Sequence, residues 1–465
     1  LLDPATGEDE PLASFVEPVT ALDLHPAGRI LLATTPSGRH ALWDLERGVP
    51  VSTEVSLQTQ SAFSPDGGCL VSVLRKEAGA ALKLHAAPGW KPAGTIDLGP
   101  WATQVPLLDV LDLAFAPDGA LVYVAGQRAE ARSMSTGARV REYPHVGEFA
   151  SAIGPSPDGR RVAVGGGTLT DRFVGLCVYE AASGDELWFG GGHLQETSQG
   201  SYRVLAFPPD GRTLLSGLDQ GPAELWDADT GERLWSTGGD ETGAVSPGVL
   251  GACFSHDGGT VYVATGKEVL ILDAASGAES TRLKGHLASI TDLRITHDGR
   301  RLLTASMDGT VRFWSLEGHV EAARLVFFEK GAWAVLGADG RFDASDLESM
   351  DGLHWVMPDD RMHALPVEIY MRDYYEPGLL PRLLAGEAMR PLRPLDELNR
   401  AQPDVRIARI APRPDSPGVV DVTIRVESTT LPVQRLGGDT VMRSGARDLR
   451  VSRDGRLVAW VDGPL

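Results

Sequence analysis

Three cysteines, eleven histidines and sixty-three carboxylates are the groups of this 465-residue chain that could do chemistry. Cys69, Cys177 and Cys253 lie far apart, without the paired spacings of a zinc site or a disulfide framework. A Cys/His nucleophile pair needs a thiol in an accessible, electropositive place. Cys253 instead sits between Ala252 and Phe254, Cys177 between Leu176 and Val178, and Cys69 follows a turn and precedes Leu70 and Val71. All three read as small buried hydrophobes. His286, His297 and His319 show no metal-ligand spacing and are explained by a repeat described below. The strings 165–167 and 190–192 are all glycine, yet neither is followed by Lys-Ser or Lys-Thr, so neither reads as a phosphate loop. Asp343, Asp346, Glu348 and Asp351 could be imagined around a cation, but a solvated acidic loop is the simpler reading. The expectation is no catalytic residue, no cofactor and no metal.

Composition narrows the class. With 42% hydrophobic residues the chain can bury a large core. Fifty-four glycines, thirty-one prolines and few aromatics favour short strands joined by tight turns. The formal net charge is -20 and no basic run offsets it, which argues against nucleic acid or anionic membrane as partner. No apolar stretch reaches the roughly eighteen residues of a membrane helix. A reducing cytoplasm suits the unpaired cysteines. The first residue is Leu1 rather than Met, which leaves a removed signal peptide or upstream domains open.

Internal repetition decides the fold. An alternating apolar run enters an Asp-Gly turn six times, at Asp66, Asp118, Asp158, Asp210, Asp257 and Asp298, and Pro26-Ala27-Gly28 stands in the same place once more. Successive turns are roughly 40 to 52 residues apart, the period of a four-stranded propeller blade. Seven blades are expected, with each Asp-Gly joining first and second strands and both residues taking the positive φ of a tight hairpin.

At these residues the chain resembles the WD-repeat family over roughly 1–318. The dipeptide itself stands at Trp43-Asp44 and Trp226-Asp227, and a Gly-His pair at Gly285-His286. The resemblance implies a hydrogen-bonded group of His286, Thr304 or Ser306, Asp308 and Trp314. A buried imidazole between a carboxylate and a hydroxyl has both nitrogens satisfied, and the indole N–H finds an acceptor. Other blades depart from the pattern: Met134 or Ser133 falls about where blade three should carry its Trp, and Tyr179 and Leu272 replace it in blades four and six. Residues 2–8 look like the end of a third strand and 11–15 like an outer strand. The N-terminus would then complete the seventh blade and close the ring; the alternative is that 1–15 belongs to an upstream blade.

The overall expectation is an all-β chain. A seven-bladed propeller spans 1–318, a hairpin and short-helix connector 319–402, and the incomplete start of an Ig-like β-sandwich 403–465. The hairpin uses 325–328 and 333–336, and apolar residues at helical intervals follow over 365–386. The aromatic connector is expected to dock on the propeller's edge and the start of the sandwich, because a free linker would not expose so many rings.

The C-terminal third carries GRFDAS at 340–345, GLHWV at 352–356, RDYYEPGLLPRLLAGE at 372–387 and DLRVSRDG at 448–455. These strings resemble the segment that joins WD repeats to a caspase-like peptidase domain in large bacterial proteins. The resemblance implies a non-catalytic front portion, since neither the His-Gly nor the Asp-x-Cys motif of that peptidase occurs here. The expected function is a protein-interaction and sensing scaffold, the regulatory part of such a peptidase system. The alternatives are a free-standing scaffold without a protease link, or a propeller enzyme with a central-channel site. Protein partners would be held on the propeller face, and the inter-blade loops offer Trp101, Arg172, Phe173 and Tyr202 as contacts.

Overall fold

A computed structural model describes residues 16–36, 41–51, 60–76, 79–99, 112–144, 147–168, 173–193, 200–237, 248–328, 331–345, 353–357, 360–393, 404–412, 420–427, 430–435, 438–443, 449–453 and 456–461. The chain divides into two compact units, Leu1–Asp343 with Pro377–Glu387, and Ala344–Glu376 with Ala388–Leu465.

The first unit is a seven-bladed β-propeller. Its antiparallel sheets begin with the inner strands Ala21–Leu24, Ser61–Phe63, Asp112–Phe115, Phe149–Pro155, Tyr202–Ala206, Val249–Phe254 and Ile290–Ile295. Six sheets have four strands in chain order and the seventh has six. The second strand of every blade is almost fully buried between its neighbours, as in Leu302, Leu303, Thr304, Ala305 and Ser306 of Arg301–Ser306. The core is therefore a series of apolar layers between adjacent blades.

The repeated turns differ from the expected form in an instructive way. Each closes with an N–H of Gly donating to the carbonyl three residues earlier, as from Gly67 to Ser64 and from Gly159 to Ser156, at 2.8 and 2.9 Å. The glycines have φ near 70°, whereas no turn aspartate has a positive φ. Asp is there for its carboxylate, which accepts the N–H two residues on (Gly68 to Asp66, 2.9 Å) and the hydroxyl two residues back (Ser64 to Asp66, 2.5 Å). A turn followed by one left-handed glycine gives the strand twist its match without a second strained residue.

The ring closes through the seventh blade. Residues 2–8 and 11–15 lie outside the described residues, but the outer position that 11–15 were expected to fill is taken by Val320–Phe327. That strand pairs with Thr310–Ser315 on one side and Trp333–Gly337 on the other. The sheet thus runs past residue 318 to Phe342–Ala344. The chain's early residues contribute differently: Val16 bridges Phe328, Glu17 N–H donates to the Phe327 carbonyl, and Val19 N–H donates to the Ser306 carbonyl, both at 3.1 Å.

The short helix Leu379–Leu384 belongs to this unit and packs on Val320–Phe327 and Trp333–Gly337. Leu379 and Leu380 are fully buried. Asp343, expected in a solvated loop, is buried instead, because its carboxylate accepts the Gly378 N–H at 2.7 Å. Arg301 donates to the Leu384 carbonyl, and Gly48 of blade one lies so close to Pro381 that a Cβ would come within 2.5 Å of Pro381 Cδ. The helix therefore touches both blades at the closing seam.

In the second unit Trp355, Tyr370 and Tyr374 form an aromatic cluster with ring centroids 5.0–6.4 Å apart. Three hairpins follow: Asp404–Pro412 with Val420–Glu427, Thr430–Arg435 with Gly438–Arg443, and Leu449–Arg453 with Arg456–Val461. Each is a separate two-stranded sheet in the region where a partial sandwich was expected.

Candidate functional site

Blade seven carries the densest polar group of the ring. Thr304 stands mid-strand in Arg301–Ser306, Trp314 on Thr310–Ser315 opposite Leu302, Asp308 in the turn between the two strands, and His286 just before the inner strand. Trp314 Nε1–H donates to Thr304 Oγ1 at 2.8 Å. Thr304 Oγ1 lies 2.7 Å from His286 Nε2, and His286 Nδ1 lies 2.9 Å from Asp308 Oδ2. Thr310 Oγ1–H and Leu287 N–H also donate to Asp308, at 2.6 and 2.9 Å. One assignment uses every proton once: Trp N–H to Thr, Thr O–H to His Nε2, His Nδ1–H to Asp. Burial keeps His286 below its ordinary pKa, against the pull of Asp308. Burial would raise Asp308, but its bonds to His286 and Thr310 outweigh it and hold the carboxyl well below the usual range. The pair is thus neutral imidazole and carboxylate, a satisfied structural lock with no atom left for a substrate.

Strand register locates the equivalent of Trp314 in each blade. The residue opposite the second position of the second strand is Trp43 in blade one, His85 in two, Arg132 in three, Tyr179 in four, Trp226 in five and Leu272 in six. In blade three the place therefore belongs to Arg132 rather than to Ser133 or Met134. The Arg132 head is tied to Glu130 at 2.8 Å and to the Leu98 carbonyl at 3.2 Å. Blade five keeps a second piece of the lock, with Trp226 Nε1–H donating to Ser216 Oγ at 2.9 Å. In blade one Ala33 stands where a hydroxyl would, and the buried Trp43 N–H meets no acceptor among the described residues. His85 is fully buried, and neither ring nitrogen meets a hydrogen-bond partner among the described residues.

A second device, invisible to the repeat pattern, ties blades together at the channel wall. Asp292 of blade seven accepts the Leu22 N–H of blade one at 2.9 Å. Asp23 of blade one accepts the Phe63 N–H of blade two at 2.7 Å, and Asp112 of blade three accepts the Ile153 N–H of blade four at 2.9 Å. Each carboxylate also accepts the N–H of its own next residue, at 2.7–2.9 Å. Burial pushes Asp23 and Asp112 up to about 6, with Arg294 opposing, and raises Asp292 as well. Asp112 and Asp292 line a channel of about 590 Å³ that also receives Arg294, Arg203 and Cys253. Carboxylates with raised pKa values in a cleft are candidate acid–base groups. Here both oxygens of each are already committed to backbone N–H groups.

The remaining predicted residues separate. Trp101 and Arg172 lie outside the described residues. Phe173 is half-buried at the start of Phe173–Glu180, with its ring stacked on Phe189 at 6.3 Å and 13°. Tyr202 is corrected: at 3% exposure it is a core residue. Gly165 approaches it so closely that a Cβ would lie 2.6 Å from its own. A large ring opening an inner strand fills the gap to the neighbouring blade and cannot reach a partner. Burial raises all three thiols, Cys177 to about 11 and Cys253 to about 12, so none is an activated nucleophile. Among the described residues no three His, Cys, Asp or Glu side chains gather as a metal site.

Residues 277–315, which include the whole lock, match the family model described as WD domain, G-beta repeat. The chain is 27% identical over 167 residues to apoptotic protease-activating factor 1 of Danio rerio, covering 26% of this chain and 13% of that protein. It is 29% identical over 130 residues to small ribosomal subunit protein RACK1y of Oryza sativa subsp. japonica, covering 26% and 37%. To the guanine nucleotide-binding protein subunit beta of Schizosaccharomyces pombe it is 28% identical over 104 residues, covering 22% and 33%. The matches thus span well under two thirds of each relative. The chain is a seven-bladed propeller that carries a WD repeat.

Proposed function

We propose that this chain is a protein-interaction and sensing scaffold, the regulatory and non-catalytic part of a bacterial caspase-like peptidase system working in the cytoplasm. The observation that carries the scaffold reading is how the titratable groups are spent. The His286–Asp308 pair, the channel carboxylates and the three raised thiols all serve the ring itself. What remains is a rigid closed surface, which suits recognition of a protein by preformed contacts. The peptidase link rests on the connector strings and gains support from a relative whose name is that of a protease-activating factor. The other relatives' names carry no such link, which favours the second reading, a scaffold independent of any protease.

The test is capture of binding proteins by the full chain in its source cells, followed by assay of the captured complex for cysteine-dependent peptidase activity. A stoichiometric complex containing a peptidase with a Cys/His pair, attached or separate, is expected. A stoichiometric complex without peptidase activity would leave the scaffold and remove the protease link. No saturable protein binding would overturn both.

A further inference from the structure

Blade four differs from the other blades at its rim. Its outer strand, Glu186–His193, is the sheet's last strand among the described residues. Every blade from two to seven has a register shift where its third strand meets its fourth, and the ladder runs straight only beyond that bulge. The straight part is residues 188–193 in blade four, against 94–97 in blade two, 141–143 in three, 235–236 in five and 281–284 in six. Blade one has only Val49–Pro50, and blade seven is covered by two further strands.

Edges are normally guarded against pairing by charge, proline or shortness. Blade two has Asp97, blade three Arg141 and Glu142, and blade six Arg282 and Lys284, while blade five is short. Blade four has Trp-Phe-Gly-Gly-Gly over 188–192, without a formal charge. Leu187 and Phe189 are 47% and 46% exposed, whereas Trp188 turns inward and donates to the Ala228 carbonyl of blade five at 2.9 Å. A Cβ on Gly191 would meet the Val174 carbonyl oxygen at 2.7 Å and the tip of the Phe189 ring at 2.8 Å. That glycine lets the Phe189 ring lie flat along the strand and stack on Phe173. The result is a long, flat edge with an aromatic platform. At its start Glu180, Asp185 and Glu186 are all exposed and enter no ion pair among the described residues.

We propose that the 188–193 edge of blade four is a docking site for an extended segment of a partner protein, added as a fifth antiparallel strand. The segment is apolar at alternate positions and basic at its C-terminal end. This rests on the scaffold reading and names the surface it uses. Main-chain hydrogen bonds supply affinity in such strand addition, and alternate side chains supply selectivity. The antiparallel sense places the incoming C-terminal end beside Glu186 and Asp185, and a chain of net charge -20 favours a basic partner over a second copy of itself.

The test uses the full chain and a fluorescein-labelled peptide of alternating threonine and valine that ends in lysine, read by anisotropy. Saturable binding is expected. It should vanish when alternate backbone amides of the peptide are N-methylated, and weaken at least about tenfold when the terminal lysines become glutamates or when the protein carries Phe189→Lys. Phe189 is exposed, so that variant should keep the wild-type unfolding midpoint. Absence of saturable binding, or binding indifferent to N-methylation or to Phe189→Lys, overturns the proposal. So does concentration-dependent dimerisation that Phe189→Lys abolishes, which would assign the edge to a second copy. Cellular partners retained by Phe189→Lys, together with no peptide binding, would sink this site and leave the scaffold reading standing.

Discussion

At the scale of single residues, the lock of blade seven was legible because four residue types at fixed offsets announced it, and the structure brings His286, Thr304, Asp308 and Trp314 together. Its energetics are testable. Thr304→Val keeps the shape but leaves a buried indole N–H and an imidazole nitrogen unpaired, and should cost about 1–3 kcal/mol. Trp314→Ala should cost about 3–5 kcal/mol through the lost ring and the cavity it leaves. Urea midpoints of the two variants against wild type check both, and equal midpoints for Thr304→Val and wild type would contradict the bonding scheme. What the sequence concealed at this scale was substitution by unlike residues. Nothing in the letters Arg132 or His85 suggests a tryptophan's place; only strand register reveals it.

Those buried groups give the stability a definite pH dependence. His85 and His286 lie below their ordinary pKa because burial favours the neutral ring. Their contribution is present above the unfolded histidine value and is lost as pH falls from it through the lower folded value. Asp23 and Asp112, pushed up to about 6, act the other way: their contribution is full below the unfolded aspartate value and is lost as pH rises through about 6. Replacing His85 by Phe should therefore reduce the loss of stability on acidification, and replacing Asp112 by Asn should remove part of the gain. Thermal midpoints between pH 4 and pH 7 read both, and parallel curves for all three proteins would refute the assignment.

At the scale of elements, the strands were readable from alternation and the turn signal, but the closing of the ring was not. The seam is made by groups distant in sequence: Asp292 with Leu22, Thr291 Oγ1 donating to the Val19 carbonyl at 2.6 Å, and the helix Leu379–Leu384 against Gly48 and Arg301. A helical period over 365–386 marked the helix and the connector was expected at the propeller's edge, yet nothing local said that Leu379–Leu384 alone would belong to the propeller unit while Trp355, Tyr370 and Tyr374 cluster in the other. If the helix seals the seam, Leu380→Asp should cost about 3 kcal/mol or more by burying an unpaired carboxyl. It should also raise amide exchange at Leu22 and Val19 before that of Val164 in blade four. Uniform faster exchange across the ring would show that the helix stabilises the unit without holding the seam.

At the scale of the whole molecule, the propeller follows from period and turn chemistry, and the proposed scaffold role rests on how its polar groups are already used. The His286 imidazole, the turn aspartates and the channel-wall aspartates are committed to neighbouring strands or turns, and the three thiols are masked by burial. A chain organised in this way should hold a protein without altering it. The most direct measurement is to incubate the captured partner with the purified full chain, wild type and with Cys69, Cys177 and Cys253 all changed to Ser, and to follow the partner's intact mass. The account predicts an unchanged mass with both proteins and the same stoichiometric complex. Fragments that form with wild type and disappear in the cysteine-free variant would contradict it.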